Sequence, residues 1–168
     1  MSVIRINDQV LVDRLNQVAS HLTDTTPLAA AIAGTFATVT DDNFEMGGRP
    51  TWAGLAPDRS KPSTLQRSGN LRARVIPSHT QDKAMISNNM PYARIHQFGG
   101  KTRPHLIQPK TKKALAFGGH VFKQVHHPGS NIPARPYLPM DENGFLQPEA
   151  EREVFRDVDH YWHRIFSP

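Results

Sequence analysis

The chain has 168 residues, 38% of them apolar, with 14 prolines and 11 glycines, which suits one domain over residues 1–168 with a modest core and much loop. It has no cysteine, excluding disulfides and thiolate chemistry and leaving histidines and carboxylates for any metal site. No apolar run is long enough to span a membrane, and the start lacks the pattern of a signal peptide, so synthesis in the cytoplasm is expected.

The formal charge of +5 is uneven: residues 49–113 carry 13 Lys or Arg against Asp58 and Asp82 alone, while both ends are weakly acidic. A positive middle of this kind suits nucleic acid or an acidic protein surface, including the acidic ends of a neighbouring copy.

A first helix is expected from about Asp8 to His21, with Leu11, Leu15, Val18 and Leu22 on one face and Asn7 as its N-cap. A second opens at Thr26-Pro27, where a proline's missing N–H costs nothing, and stops before Gly47-Gly48. Leu28, Ile32, Phe36 and Val39 line it, and Asp41, Asp42 and Glu45 near its end read as a solvated face. Residues 47–62 have no regular period and read as an extended segment anchored by Trp52 and Leu55.

A helical turn at Ser63–Arg67 should precede a break at Ser68-Gly69. Leu71, Ala73 and Val75 alternate with Arg72 and Arg74, the period of a strand with one wet face, so both arginines would project from that face. Ala84 and Ile86 suggest its partner strand. Pro91 opens a short helix whose Tyr92, Ile95 and Phe98 would pin it to the sheet, with Gly99-Gly100 as its stop. His96 and Gln97, beside that face, are placed to cap or bridge backbone groups.

HLIQP and KKALAF then read as a hairpin-like pair followed by VFKQV, giving a mostly antiparallel sheet of four or five strands. The proline-rich loop HHPGSNIPARPYLPM follows, its backbone stiffened by four prolines. A last helix starts at Pro148, with Glu149, Glu151 and Glu153 near its N-terminus and Val154, Val158, Tyr161 and Ile165 as its apolar stripe. The expected class is α+β: two N-terminal helices, the sheet with long irregular loops, and a C-terminal helix.

The usual patterns of site chemistry are missing. His120, His126 and His127 lie close in sequence and His160 and His163 are three apart, but neither set has carboxylates at metal-site spacing, so no metal or cofactor is expected. Ser68 has no nucleophile elbow around it, and the glycine pairs lack the lysine of a phosphate cradle. A non-enzymatic role is expected, although catalytic groups scattered along the chain would leave no such pattern. The basic residues of the middle segment could track a phosphate backbone, yet no recognition helix, zinc finger or RNA-binding aromatic signature accompanies them.

Four segments, in order, carry a resemblance: GRPTWAGLAP, LQRSGNLRARV, MPYARIHQFGG and HPGSNIPARPYLPM. Their order and spacing resemble the phage virion morphogenesis family, the tail completion proteins of Mu-like and P2-like phages. The resemblance implies phage or prophage origin and a structural role late in assembly. It also implies a homo-oligomeric ring at the head-proximal end of the tail or at the neck of the virion, in contact with tail tube or terminator and with neck or connector proteins. A nucleic-acid-binding accessory protein that contacts genomic DNA through residues 49–113, or a capsid assembly factor, is the alternative.

Within these segments Trp52, Arg72, Arg74, Tyr92, His96, Arg135 and Tyr137 are the candidate interface or loop-anchor residues. Pro133 and Pro136 hold Arg135 in a narrow range of directions, suited to a bidentate carboxylate contact within the fold or across a subunit seam. Tyr137 and Leu138 supply apolar anchoring.

Overall fold

The computed structural model describes residues 8–54, 64–111 and 113–166. It is an α+β arrangement with helices at both ends, two at the start and one at the finish. Helix α1 spans Gln9–Thr23, and Asp8 is its N-cap, accepting from the Leu11 N–H at 3.1 Å. The expected cap, Asn7, lies outside the described residues.

Helix α2 spans Thr26–Met46, with Pro27 in its first turn and Gly47 in the left-handed conformation at its C-cap. Its bounds are those the sequence indicates, but its buried face is rotated. Ala29, Ala33, Phe36, Val39, Thr40, Asn43 and Phe44 are buried, whereas Leu28 and Ile32 are only half-buried. The small residues permit close approach of α5, Pro148–Phe166, which packs along α2 with Ala150, Tyr161 and Ile165 buried and Val154 and Val158 half-buried.

Residues 71–75 do not form the expected strand. Asn70–Ala73 make a one-turn helix, α3, closed by the Ala73 N–H on the Gly69 carbonyl at 3.0 Å. The tertiary environment decides this: Leu71 is buried in the core while Arg72 turns to the carboxylates of α2. Phe44, which Leu71 packs against, and the carboxylates that Arg72 reaches all lie on α2; neighbours in a helical turn can both face that way, whereas in a strand they would point to opposite faces. Strand β1 begins at Val75, runs to His79, and pairs antiparallel with β2, Ala84–Asn88, the partner expected. The hairpin packs on α2, and Gln81 near its tip bonds Thr23 and Thr25 at the α1–α2 junction.

Helix α4, Ala93–Phe98, buries Ala93 and Gln97, not the aromatic face expected; Tyr92 and Phe98 are exposed and Ile95 is half-buried. A six-residue helix at the edge of a small core has room inward for only two residues.

The rest of the β structure is not a four- or five-stranded sheet. Strands β3 (Gly100–Lys101) and β8 (Asn131–Ile132) pair, as do β4 (His105–Ile107) and β7 (Val125–His127), and β5 (Leu115–Phe117) and β6 (His120–Phe122). Gly100 faces Ile132 and His105 faces His127, equal steps along both strands, so the first two pairs belong to one ladder. Thr102 and Ser130 bond across the gap between them. Past Ile107 and Val125 the ladder is interrupted, by seven residues on one side and two on the other, before the β5–β6 pair closes this ribbon at Gly118-Gly119. HLI therefore pairs with VHH, and LAF with HVF. The reason lies in the turn: Gly118 and Gly119 adopt φ of 58° and 77°, the left-handed pair that a tight two-residue hairpin turn requires.

Candidate functional site

The core and the polar network converge on residues 133–140. Phe44, Trp52, Leu71, Ala93 and Tyr137 form the apolar cluster, with Leu65, Val75, Met90 and Leu138 packed against it. The rings of Trp52 and Tyr137 sit against Phe44 at centroid distances of 5.7 and 5.3 Å. Three of the four resembling segments thus contribute to one cluster through Trp52, Leu71 and Ala93, and the fourth contributes Tyr137.

Gly48 shows how tightly the first segment is held. Its φ of +96° is left-handed, and a Cβ there would lie 2.2 Å from the Trp52 ring. Only glycine lets the chain leave α2 and bring the indole beneath it, where Trp52 Nε1 donates to the Pro136 carbonyl at 2.8 Å.

Arg135 is buried, and its guanidinium is directed inward. Nε donates to the Ala53 carbonyl at 2.9 Å and Nη2 to that of Gly54 at 3.1 Å. It fastens the proline-rich loop to the tryptophan segment through carbonyls instead of the carboxylate expected. The Arg135 N–H donates to the His96 carbonyl at 2.7 Å.

The side chain that organises this loop is Gln97. Its Oε1 accepts from the N–H groups of Tyr137 and Leu138, both at 2.9 Å, and its Nε2 donates to the Met140 carbonyl at 2.9 Å. This is the backbone bridging that its position in sequence suggested. Opposite it stands Asn43, wholly buried in α2, donating to the Tyr137 carbonyl at 3.0 Å and to Gln147 Oε1 at 2.9 Å while accepting from Arg49 Nε at 2.8 Å. Gln147 completes the circuit by donating to the Arg49 carbonyl. Sequence reasoning missed Asn43, Arg49 and Gln147. The available signal was Asn43 itself, seven residues after Phe36 on the buried stripe.

Arg72 lies apart from this clamp. It holds Asp41 through two bonds, one of 2.6 Å, and Glu45 at 3.0 Å, joining α3 to α2. The Arg72 hydrogen bond lowers the Asp41 pKa below its ordinary value. Asp41 and Glu45 are therefore ion-pair partners and not merely a solvated face, and Asp42 stands 3.7 Å from Arg49. Arg74 is exposed and belongs to neither group. Burial raises the Tyr137 phenol to about 12.

Tyr92 and His96 pack edge to face at 5.7 Å beside a cleft lined by Arg67, Ser68, Leu71, Tyr92, His96 and Arg135. That lining carries two guanidinium groups and an imidazole but no carboxylate. His96 Nδ1 is buried without a hydrogen-bond partner, and burial, then the Arg135 charge, lowers its pKa below 6.5. A depressed histidine pKa means that the unfolded chain takes up the proton first as pH falls. Stability should therefore be complete above about pH 6.5 and decline as pH drops through the native value. Urea titrations across that range should show the decline, and His96→Phe should flatten it; an unchanged pH profile would assign the loss elsewhere.

The structure is an α+β fold in which buried polar side chains fix irregular loops in place. Comparison with known proteins places it further: residues 6–162 match the model of the phage virion morphogenesis family, and the chain belongs to that family. It is 31% identical over 168 residues to the Mu-like prophage FluMu G protein 2 of Haemophilus influenzae, covering 99% of this chain and all of that one. No solved structure matches it. Its role is thus in building the phage particle, and no helix among the described residues is long and apolar enough to cross a membrane.

Proposed function

We propose that the protein is a non-enzymatic subunit that completes the tail, or joins tail to head at the neck, by assembling as a ring. Copies of the chain would contact one another, the tail tube or terminator on one side and neck or connector proteins on the other. The protein would be made in the host cytoplasm and reside in the virion. The observation that carries this reading is the direction of the polar groups: Asn43, Gln97 and Arg135 face inward and tie loops together, while the ribbon from Gly100 to Ile132 stands exposed. Such a body is rigid where its loops must keep shape and open where neighbours would dock. Trp52, Arg135 and Tyr137 act here as loop anchors. Arg72 anchors α3, Arg74 and Tyr92 are exposed for contacts between subunits, and half-buried His96 lines the cleft beside Tyr92 where such a contact would reach it.

The test combines two microscopies. Negative-stain images of the purified protein should show rings, and a gold-labelled tag should sit at the head-proximal end of the tail in purified particles. Particles that carry no label, or a prophage lacking the gene that still yields full titres of joined particles, would overturn the proposal.

A further inference from the structure

We propose that the exposed ribbon of one copy docks onto the paired helices α1 and α5 of a second copy, so that copies join head to tail; this rests on the ring reading above and names its two faces. The ribbon has an unusual balance. No Asp or Glu occurs between Asp82 and Asp141. Lys101, Arg103, Lys110, Lys113 and Lys123 are all exposed, and among the described residues none of them makes an ion pair. In the body, by contrast, Arg49, Arg72, Arg152 and Arg156 each face a carboxylate.

The ribbon also lacks support. Among the residues from Gly99 to Ala134 whose side chains are described, none is buried, and strands β4 to β7 pack little against anything but each other. Two strands alone are marginal in water and need a surface to lie on. Leu106 and Val121, 48% and 72% exposed, give the ribbon apolar contacts to offer along with its charge.

The complementary face is on the terminal helices. Glu151, Phe155 and Asp159 follow at spacings of four along α5, and Phe166 falls on the same side; Phe155 is 65% and Phe166 59% exposed. Helix α1 lies beside α5, tied by Arg14 to the Ile165 carbonyl and by Tyr161 to that of His21, yet buries none of its residues. Its Leu11, Leu15 and Leu22 are open to solvent. Both helices thus present apolar side chains. On α5 Arg152 and Arg156 are taken up by Glu149 and Glu153, and Asp159 lies 4.0 Å from His163, so Glu151 and Asp159 are the carboxylates beside Phe155 that the ribbon's lysines would meet.

Two arguments favour a second copy in this arrangement. Ribbon against ribbon would oppose like charges, so the contact is between unlike faces, the kind of contact from which a ring larger than a dimer is built. A phosphate backbone would satisfy the lysines but offers nothing to Leu106, Val121, Phe155 or Leu15.

The test is a charge exchange, read as assembly against concentration by sedimentation velocity, with circular dichroism melts confirming folding. The ribbon variant Lys110→Glu/Lys113→Glu/Lys123→Glu and the helix variant Glu151→Lys/Asp159→Lys should each need about 10-fold or more additional protein to assemble, and one chain carrying both sets should return to within about 3-fold of the parent. If either variant fails to fold, the chain's lack of cysteine provides a second route. Val121→Cys copies mixed with Phe155→Cys copies should cross-link on oxidation, and neither should do so alone. Assembly that survives reversal of the ribbon, or a folded exchange variant that stays dispersed, overturns the inference and leaves the ring reading standing. Loss of DNA binding with unchanged assembly overturns it in favour of a nucleic-acid contact. A parent chain that never assembles removes the ring reading and the inference together.

Discussion

Gln97→Leu is expected to lower the unfolding free energy by about 3–5 kcal/mol, because buried N–H groups left without an acceptor cost about 1–3 kcal/mol each. Leucine fills nearly the same space, so the loss is one of hydrogen bonds and not of volume. The N–H groups of Tyr137 and Leu138 would lose their shared acceptor and the Met140 carbonyl its donor, in a segment where Tyr137 is 1% exposed and Pro139 is buried. Equilibrium urea unfolding at one fixed protein concentration measures this, since assembly would otherwise shift the midpoint by mass action.

Gln97→Glu separates the two functions of the amide. A carboxylate still accepts both N–H bonds but cannot donate to Met140; a protonated carboxyl does both. The neutral form is thus the native one, the glutamate pKa is raised by folding, and the variant should regain stability as pH falls towards about 4.3 and lose it as pH rises. A loss of under about 1 kcal/mol for Gln97→Leu would mean that water replaces the amide and that the loop is not held here.

How far the sequence foretold this arrangement depended on whether the cause was local. Thr26-Pro27 and Gly47-Gly48 bound α2 because capping and left-handed glycine are decided by the residues themselves. Pro148 did the same for α5. Gly118-Gly119 was as clear a turn signal, but the hairpin was sought one segment too early, between HLIQP and KKALAF. The stretch 71–75 misled because alternation over five residues fits a strand as well as a helical turn, and the carboxylates that settle the matter lie about thirty residues earlier, on α2.

The loop anchors were only half legible. Trp52, Arg135 and Tyr137 stood out in resembling segments, but what they grasp is mostly backbone: the carbonyls of Pro136, Ala53 and Gly54. Backbone partners leave no trace in side-chain identity. Asn43 was missed for a related reason, as a polar residue near Asp41, Asp42 and Glu45 reads as part of their exposed run. Its helical angle, shared with Phe36, says otherwise.

Asn43→Leu should cost about 3–4 kcal/mol, by the same penalty for buried partners left unmade. Its amide donates to the Tyr137 carbonyl and Gln147 Oε1, and its oxygen holds Arg49 Nε. Arg49 keeps the Val39 carbonyl at 3.1 Å and Asp42 at 3.7 Å, so the cost falls chiefly on Tyr137 and Gln147. Asn43→Asp should do no better, since it retains the acceptor for Arg49 but sets a carboxylate against two oxygens. The sharper measurement is the double variant with Gln97→Leu. Gln97 takes the N–H of Tyr137 and Asn43 takes its C=O, so the two side chains grip one residue from opposite sides. Once either grip is lost, the loop can shift and the other bond weakens with it. The double variant should therefore cost about 1–2 kcal/mol less than the sum of the single ones, the coupling expected of residues that share a partner. Additivity to within about 0.5 kcal/mol would show instead that the loop is fixed by Trp52 and Arg135, and that the two amides act independently.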